Sequence, residues 1–298
     1  MLARTSQFCT GAILPVAGVQ LAKRNFATLK DINTRLKAIK NIKKITETMK
    51  LVSAAKYAKS ERELHPAKSY GTGAKAFYSA TGADAAEDHK KAYLVIAVTS
   101  DRGLCGSAHS SVSKFVQKTV RELPSDVTPY IVCIGDKSRS VISRYFGKNI
   151  VMSMNEIGRL PPTFNDARTI AEAIMDSGVD FTQGHIVFNK FRTVVSFRTI
   201  SQDFLSLDGI AQSEKLYQYD SVDNTVLREY AEYSLASLIY YALKEANCSE
   251  QSARMTAMDA ATKNAEEMID KMTLLYNRTR QAVITTELIE IISGATAL

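Results

Sequence analysis

Between Gly209 and Gly294 the chain contains neither glycine nor proline, although it holds 14 Gly and 6 Pro among 298 residues. Proline removes a backbone N–H and clashes with the preceding turn, and glycine carries an entropic penalty, so both interrupt helices. So long a run without either predicts one uninterrupted helix. Asp220, Ser221 and Asp223 offer capping oxygens just ahead of Val226 and Leu227, and Gly294 stands where a helix commonly ends. At about 1.5 Å per residue, a helix over 221–292 is roughly 105 Å long. That is several times the diameter of a small domain, so such a helix has to be gripped by something other than its own chain.

Its side chains carry a second signal. Met255, Met258, Thr262, Ala265, Ile269, Met272, Tyr276, Thr279 and Val283 alternate three and four residues apart, the a/d seam of a coiled coil. The seam is rich in Ala, Thr and Met. Small residues permit close approach but bury little area, ~1 kcal/mol each against ~1.5–3 kcal/mol for a buried Leu.

A second long helix is expected from Leu29 to Leu64. Ile32, Leu36, Ile39, Ile42, Ile45, Met49 and Val52 read as its seam, with successive steps of three that mark a stammer. Its outer face carries Lys37, Lys40, Lys43, Lys44, Lys50, Lys56 and Lys59 against few acids. That face is either simply solvated or passes close to carboxylate-rich surfaces. Pro66, Gly71, Gly73 and Gly82 mark the exit from this helix. Its length of roughly 50 Å is about half that of the C-terminal helix. Paired antiparallel, the two leave the apolar last turns, Leu288, Ile289, Ile291 and Ile292, without a partner in the chain. An exposed apolar tip is an aggregation hazard, which predicts a sleeve of other subunits around it.

The middle of the chain reads differently. Tyr93–Thr99 (YLVIAVT) is a continuous apolar run, the mark of a buried parallel strand. Helical stretches at 107–123, 137–146 and 165–177 alternate with strands at 130–134, 150–152 and 185–188. Val194–Ile200 alternates and reads as an antiparallel neighbour, after a turn near 189–193. This order predicts a small Rossmann-like α/β domain with a mostly parallel sheet. The fold class is therefore α/β with long helices: an antiparallel coiled coil of N- and C-terminal helices with an inserted α/β domain. The segments are 27–66 for the first helix, 67–209 for the α/β domain, and 210–298 for the second helix.

Residues 1–26 contain Arg4, Lys23 and Arg24, several hydroxyls and no acid, the composition of a mitochondrial transit peptide. Pro15 and Gly18 interrupt the apolar run that a secretory signal needs, and cleavage near Phe26 starts the mature chain at Ala27. No stretch reaches the roughly 18 uncharged apolar residues of a membrane span. A net charge of +7 suits nucleic acid, an anionic membrane surface or acidic protein partners. With no Trp and no interleaving of aromatic and basic residues, nucleic acid is not favoured. Cys9, Cys105, Cys133 and Cys248 lie far apart, against both a disulfide framework and a zinc site.

The loop Ser100–Ser107 joins a strand to a helix and has two glycines, but it is neither GxGxxG nor a P-loop. A turn that lets backbone approach a neighbour explains it better than a phosphate site. Cys105 lacks a placed histidine, and His65, His89, His109 and His185 have no metal spacing. Asp84, Glu87 and Asp88 read as a solvated acidic group. No nucleophile, base and orienter assemble, so the expectation is no catalytic residue, no metal and no cofactor.

Three stretches carry a resemblance. They are Leu29–Ile32 with Lys44–Thr46 and Met49–Lys56; Thr99–Gly106; and Ser249–Met255 continuing through Tyr276–Ala282, Ile284–Leu288 and Ile292–Ala295. Together they resemble the gamma-subunit family of F-type ATP synthases, over Ala27 to the end, with the terminal helices the more specific part. The resemblance implies a central rotary stalk: an asymmetric coiled coil inside a ring of three alpha and three beta subunits. It implies a foot on the c-ring beside the small delta and epsilon subunits, at the matrix side of the mitochondrial inner membrane and peripheral to it. It implies coupling of proton-driven rotation to ATP synthesis at sites on other subunits. Met49 matches a family position beside a mobile beta-subunit lever. Arg280 and Gln281 match positions that hydrogen-bond a beta-subunit catch loop, and Thr285 and Glu287 match neighbours implicated in coupling. The regulatory dithiol of the chloroplast form has no counterpart here. The rival readings are a static coiled-coil tether carrying an α/β scaffold, and a nucleotide-binding α/β enzyme with helical extensions.

Overall fold

The computed structural model describes residues 28–81, 92–124, 127–179, 181, 183–211, 216–220 and 222–296. The expected leader, Cys9, His89, Ser221 and the acidic group at 84–88 lie outside them. Contacts divide the chain into two compact units. One is Ala38–Lys271, and the other joins the residues up to Lys37 to those from Met272 onward.

Helix α1 (Leu29–Thr81) opens on a reciprocal cap. Thr28 Oγ1 accepts from Asp31 N at 3.3 Å, and Asp31 Oδ2 accepts from Thr28 N at 3.1 Å. Two otherwise orphaned donors are thereby satisfied. The helix does not end at Pro66, as its sequence suggests, but runs on to Thr81. A mid-helix proline costs about 3 kcal/mol. Burial offsets it: Leu64, Ala67, Gly71, Ala74 and Tyr78 form one continuous buried edge. Gly71 is part of the reason. A Cβ there would lie 2.7 Å from the Tyr241 ring, so the helices meet at a distance only glycine permits.

The α/β layer follows. Strands β1 (Ala92–Val98), β2 (Thr128–Ile134), β3 (Ile150–Met154) and β4 (Gln183–Thr193) are parallel, and β5 (Ser196–Leu205) is antiparallel to β4. The order is β3-β2-β1-β4-β5. Helices α2 (Ala108–Glu122), α3 (Asp136–Phe146) and α4 (Phe164–Asp176) connect them. Successive side chains of a strand point to opposite faces, and β1 shows both. Tyr93, Val95 and Ala97 pack with Val112, Val116 and Ile142 of α2 and α3. Leu94, Ile96 and Val98 pack with α4 and with the first turns of the C-terminal helix.

The β4–β5 turn sits at Val194 and Val195, two to five residues beyond the expected 189–193. Neither is a turn-forming type. The turn is held by side chains instead: Ser196 N donates to Thr193 Oγ1 at 3.2 Å, and the two hydroxyls meet at 2.6 Å. After the short helix α5 (Leu207–Ala211), helix α6 runs from Asn224 to Thr296, 73 residues without a break. It passes Gly294 by two residues, and the space around that glycine is open. The two long helices thus have 53 and 73 residues, closer in length than the sequence suggests.

Candidate functional site

Within the larger unit, α1 and α6 pair antiparallel, and polar contacts recur along the pairing. Lys43 meets Glu266 at 2.9 Å and Lys50 meets Asp259 at 2.6 Å. Thr262 Oγ1 donates to Thr46 Oγ1 at 2.9 Å, Asn247 Nδ2 to Ser60 Oγ at 2.9 Å, and Lys244 Nζ to Glu63 Oε2 at 2.8 Å. Numbers rise on α1 as they fall on α6, in unbroken register. On α6, Met258 and Ala265 are buried and Thr262 half-buried, as the heptad spacing requires.

On α1 Ile32 is buried and Leu36 and Ile39 half-buried, as expected, but beyond Ile39 the seam differs from the expected one. Thr46, Ser53, Tyr57 and Ser60 turn inward and continue into Leu64 and Ala67, and with half-buried Met49 between Thr46 and Ser53 the steps are of three and four with no stammer. Ile42, Ile45 and Val52 face outward and are 52–57% exposed. The physical reason is the polar ladder: Lys43 and Lys50 of α1 pair with Glu266 and Asp259, while Thr262, Asn247 and Lys244 of α6 donate to Thr46, Ser60 and Glu63. An apolar stripe is consequently left on the outside of α1.

Met49 sits between these faces, half-buried. It lines a cleft of about 410 Å³ with Val52, Lys56, Arg102, Leu104 and Arg254. Leu104 is 62% exposed and is held at φ 65°, a left-handed conformation that non-glycine residues rarely adopt. The loop that carries it is fastened to α6. Gly103 O accepts from Arg254 Nε and Nη2, each at 3.2 Å. Arg254 also pairs with Glu250 and donates to Gln251 Oε1 at 3.1 Å. The loop therefore serves as close-approach backbone. Further along α6, Ser249 donates to Asn189 O at 2.9 Å, and Glu245 accepts from Phe191 N at 2.8 Å. A belt of buried polar residues, Lys244–Arg254, thus binds the sheet's carboxyl end to α6. Sequence reasoning missed this belt. The signal for it is a stretch of α6 that is polar on every face and yet free of helix breakers.

Arg280, Gln281, Thr285 and Glu287 lie on the exposed part of α6 in the smaller unit. Thr285 Oγ1 donates to Gln281 O at 2.9 Å, which places those two on one face. Arg280 and Glu287, seven apart, share another. Met49 belongs to the larger unit.

The described thiols, Cys105, Cys133 and Cys248, are buried. Burial pushes Cys105 and Cys133 up to about 11, and Cys248 to about 12. Burial also lowers His109, whose Nε2 contacts Arg102 O at 2.8 Å. His185 pairs with Asp203 across β4 and β5. Among the described residues no group of three or more His, Cys, Asp or Glu side chains has metal-binding geometry, and no helix is long and apolar enough to cross a membrane.

A family model described as ATP synthase matches residues 28–298. The chain is 53% identical to ATP synthase subunit gamma, mitochondrial, of Drosophila melanogaster, covering 97% of this chain and 98% of the relative. It is also 53% identical to ATP synthase F(1) complex subunit gamma, mitochondrial, of Rattus norvegicus, covering 91% and 100%. Among solved structures it is similar to a chain from the central stalk/c-ring of the Tetrahymena thermophila mitochondrial ATP synthase. There the TM-score is 0.61 at 26% identity, over 73% of this chain and 99% of that one.

Proposed function

Because the chain belongs to the gamma-subunit family of mitochondrial ATP synthases, we propose that it is the central rotary stalk of such a complex. In this reading it turns with the c-ring inside a ring of alpha and beta subunits. It carries no catalytic site itself and is peripheral to the inner membrane on the matrix side. Residues 1–26 act as the import leader, the paired stretches of α1 and α6 as the shaft, and the α/β layer with the helix segments packed on it as the foot on the c-ring beside delta and epsilon.

The observation that carries the reading is the end of α6. Leu288, Ile289, Ile291 and Ile292 are 53–67% exposed on an unbroken helix. Aliphatic side chains left in water on several faces at once need an enclosing socket. A ring of subunits supplies one.

The mechanism is a coupling free energy between conformations. The shaft is a ligand that contacts each beta state differently, and rotation changes which state it favours. Only such differential contact shifts an equilibrium toward release of tightly bound ATP. Torque requires that the two helices do not slide along each other, and the ladder from Lys43–Glu266 to Glu63–Lys244 fixes their register. Met49 with the Val52 stripe meets the beta lever. Arg280 and Gln281 engage a catch loop, with Thr285 and Glu287 beside them. A guanidinium fork suits carboxylate or backbone acceptors.

The test is isolation of the native complex. This chain is expected to co-purify with a larger ATPase, and Arg280→Ala or Gln281→Ala to lower coupled turnover while leaving assembly intact. A chain recovered only as a compact monomer sinks the stalk reading. Unchanged turnover in both variants removes those two contacts.

A further inference from the structure

We propose that the cleft between the C-terminal half of α1 and the β4–β5 hairpin is a binding site for a phosphate-class oxyanion. It has a volume of about 360 Å³, and its charged lining consists of Lys68 and Lys75 from α1 and Lys190 from β4. Lys68, Thr72 and Lys75 lie four and three residues apart and so share one helix face. Gln202 of β5 and the Tyr241 ring complete the walls.

Three observations beyond the cavity point to an anion. Lys190 stands directly opposite Arg198 in the β4–β5 register. Like charges so placed repel, and a bound anion turns that repulsion into attraction. Next, among the described residues none of Lys68, Lys75, Lys190 and Arg198 forms an ion pair. Finally, the neighbouring acids are engaged elsewhere. Asp203 is paired with His185, whose hydrogen bond is the main cause of its lowered pKa, with Lys75 a minor contributor. Glu245 accepts from Phe191 N and from the Tyr241 hydroxyl, which is thereby turned away from an incoming ligand. Several ammonium donors around a small cleft, with no competing carboxylate among the described residues of its lining, match the three or four oxygens of a phosphate.

A free phosphate and a phospholipid headgroup present the same chemistry, and the experiment separates them. The full chain is titrated with inorganic phosphate by calorimetry, and floated with vesicles of phosphatidylcholine alone or with added phosphatidylglycerol. The variants are Lys75→Gln with Lys190→Gln, and Lys114→Gln with Lys118→Gln on the exposed face of α2 as a charge-matched control. The double variant is expected to bind at least about tenfold more weakly than wild type, given two lost charge-assisted bonds. The control is expected to behave as wild type, and binding to weaken with added salt because the lysines are exposed. Capture on anionic vesicles that the double variant loses and the control keeps assigns a headgroup. Phosphate heat that follows the same pattern without vesicle capture assigns the free oxyanion. If neither probe distinguishes the double variant from the control, the proposal is overturned.

Discussion

Thr46 of α1 and Thr262 of α6 meet hydroxyl to hydroxyl at 2.9 Å, flanked by Lys50–Asp259 and Lys43–Glu266. A polar contact at the middle of a helix pair fixes register more than it adds stability. Thr46 Oγ1 also donates to Lys43 O and Thr262 Oγ1 shares its proton with Met258 O, so neither is stranded when its partner goes. Thr46→Val is therefore expected to cost about 1 kcal/mol, and the Thr46→Val/Thr262→Val pair to lie within roughly 0.5 kcal/mol of wild type, since matched apolar groups replace matched polar ones. Chemical denaturation of the four members of the cycle measures both. A double variant weaker than the sum of the singles contradicts this account.

Asp259 receives Lys50 and Lys263, and these hydrogen bonds, Lys50's first, bring its carboxyl down to about 2 from an ordinary 3.8. A carboxyl lowered on folding contributes stability at pH above its unfolded value, and that contribution is lost as pH falls through the folded one. The link between α1 and α6 at this point is thus expected to be intact at pH 5 and to fade between about pH 4 and 2. The carboxyl carbon shift of Asp259 followed by NMR reports it directly. A midpoint near 4 contradicts the pairing.

How much of this was legible in the sequence depends on what surrounds each residue. α6 was visible because an unbroken run and a three-four spacing are local properties, and Met258, Thr262 and Ala265 sit where the spacing puts them. The α1 seam was misread beyond Ile39 because periodicity assumes that apolar residues face inward. Here Ile42, Ile45 and Val52 face outward, as suits a surface that other chains cover, while Thr46, Ser53 and Ser60 are buried. Pro66 and the Val194–Val195 turn were misread because tertiary packing and side-chain bonds override local preference. Met49 and the four C-terminal candidates rest on resemblance alone. The grip of Arg254 on Gly103 depends on a register that no local pattern encodes.

Gly71 and Gly73 make a paired test of the α1 extension. A Cβ on Gly71 would meet the Tyr241 ring at 2.7 Å, while one on Gly73 meets nothing within 4 Å. Gly71→Ala is expected to destabilise by about 1–3 kcal/mol through overpacking. Gly73→Ala is expected to stabilise by about 0.5–1 kcal/mol, because alanine loses less backbone entropy in a helix. Thermal unfolding of the two variants should move in opposite directions. If both behave alike, the close contact between α1 and α6 at Tyr241 is not as described.

Arg254 and Glu250 are both nearly buried, at 6% and 5% exposure, and one cannot be removed without isolating the other. Arg254→Ala deletes two bonds to Gly103 O and leaves the Glu250 carboxylate without its charged partner. Breaking a buried pair from one side costs about 3–5 kcal/mol, whereas replacing both members with apolar groups of similar volume is often close to neutral. Glu250→Met with Arg254→Met is therefore expected to recover most of the stability that Arg254→Ala loses. It does not restore the hold on the loop, because methionine donates nothing to Gly103 O. Amide exchange over 102–106 is expected to be faster in both variants, while global unfolding separates them. Slow exchange in the double variant would show that the loop is held by something other than Arg254.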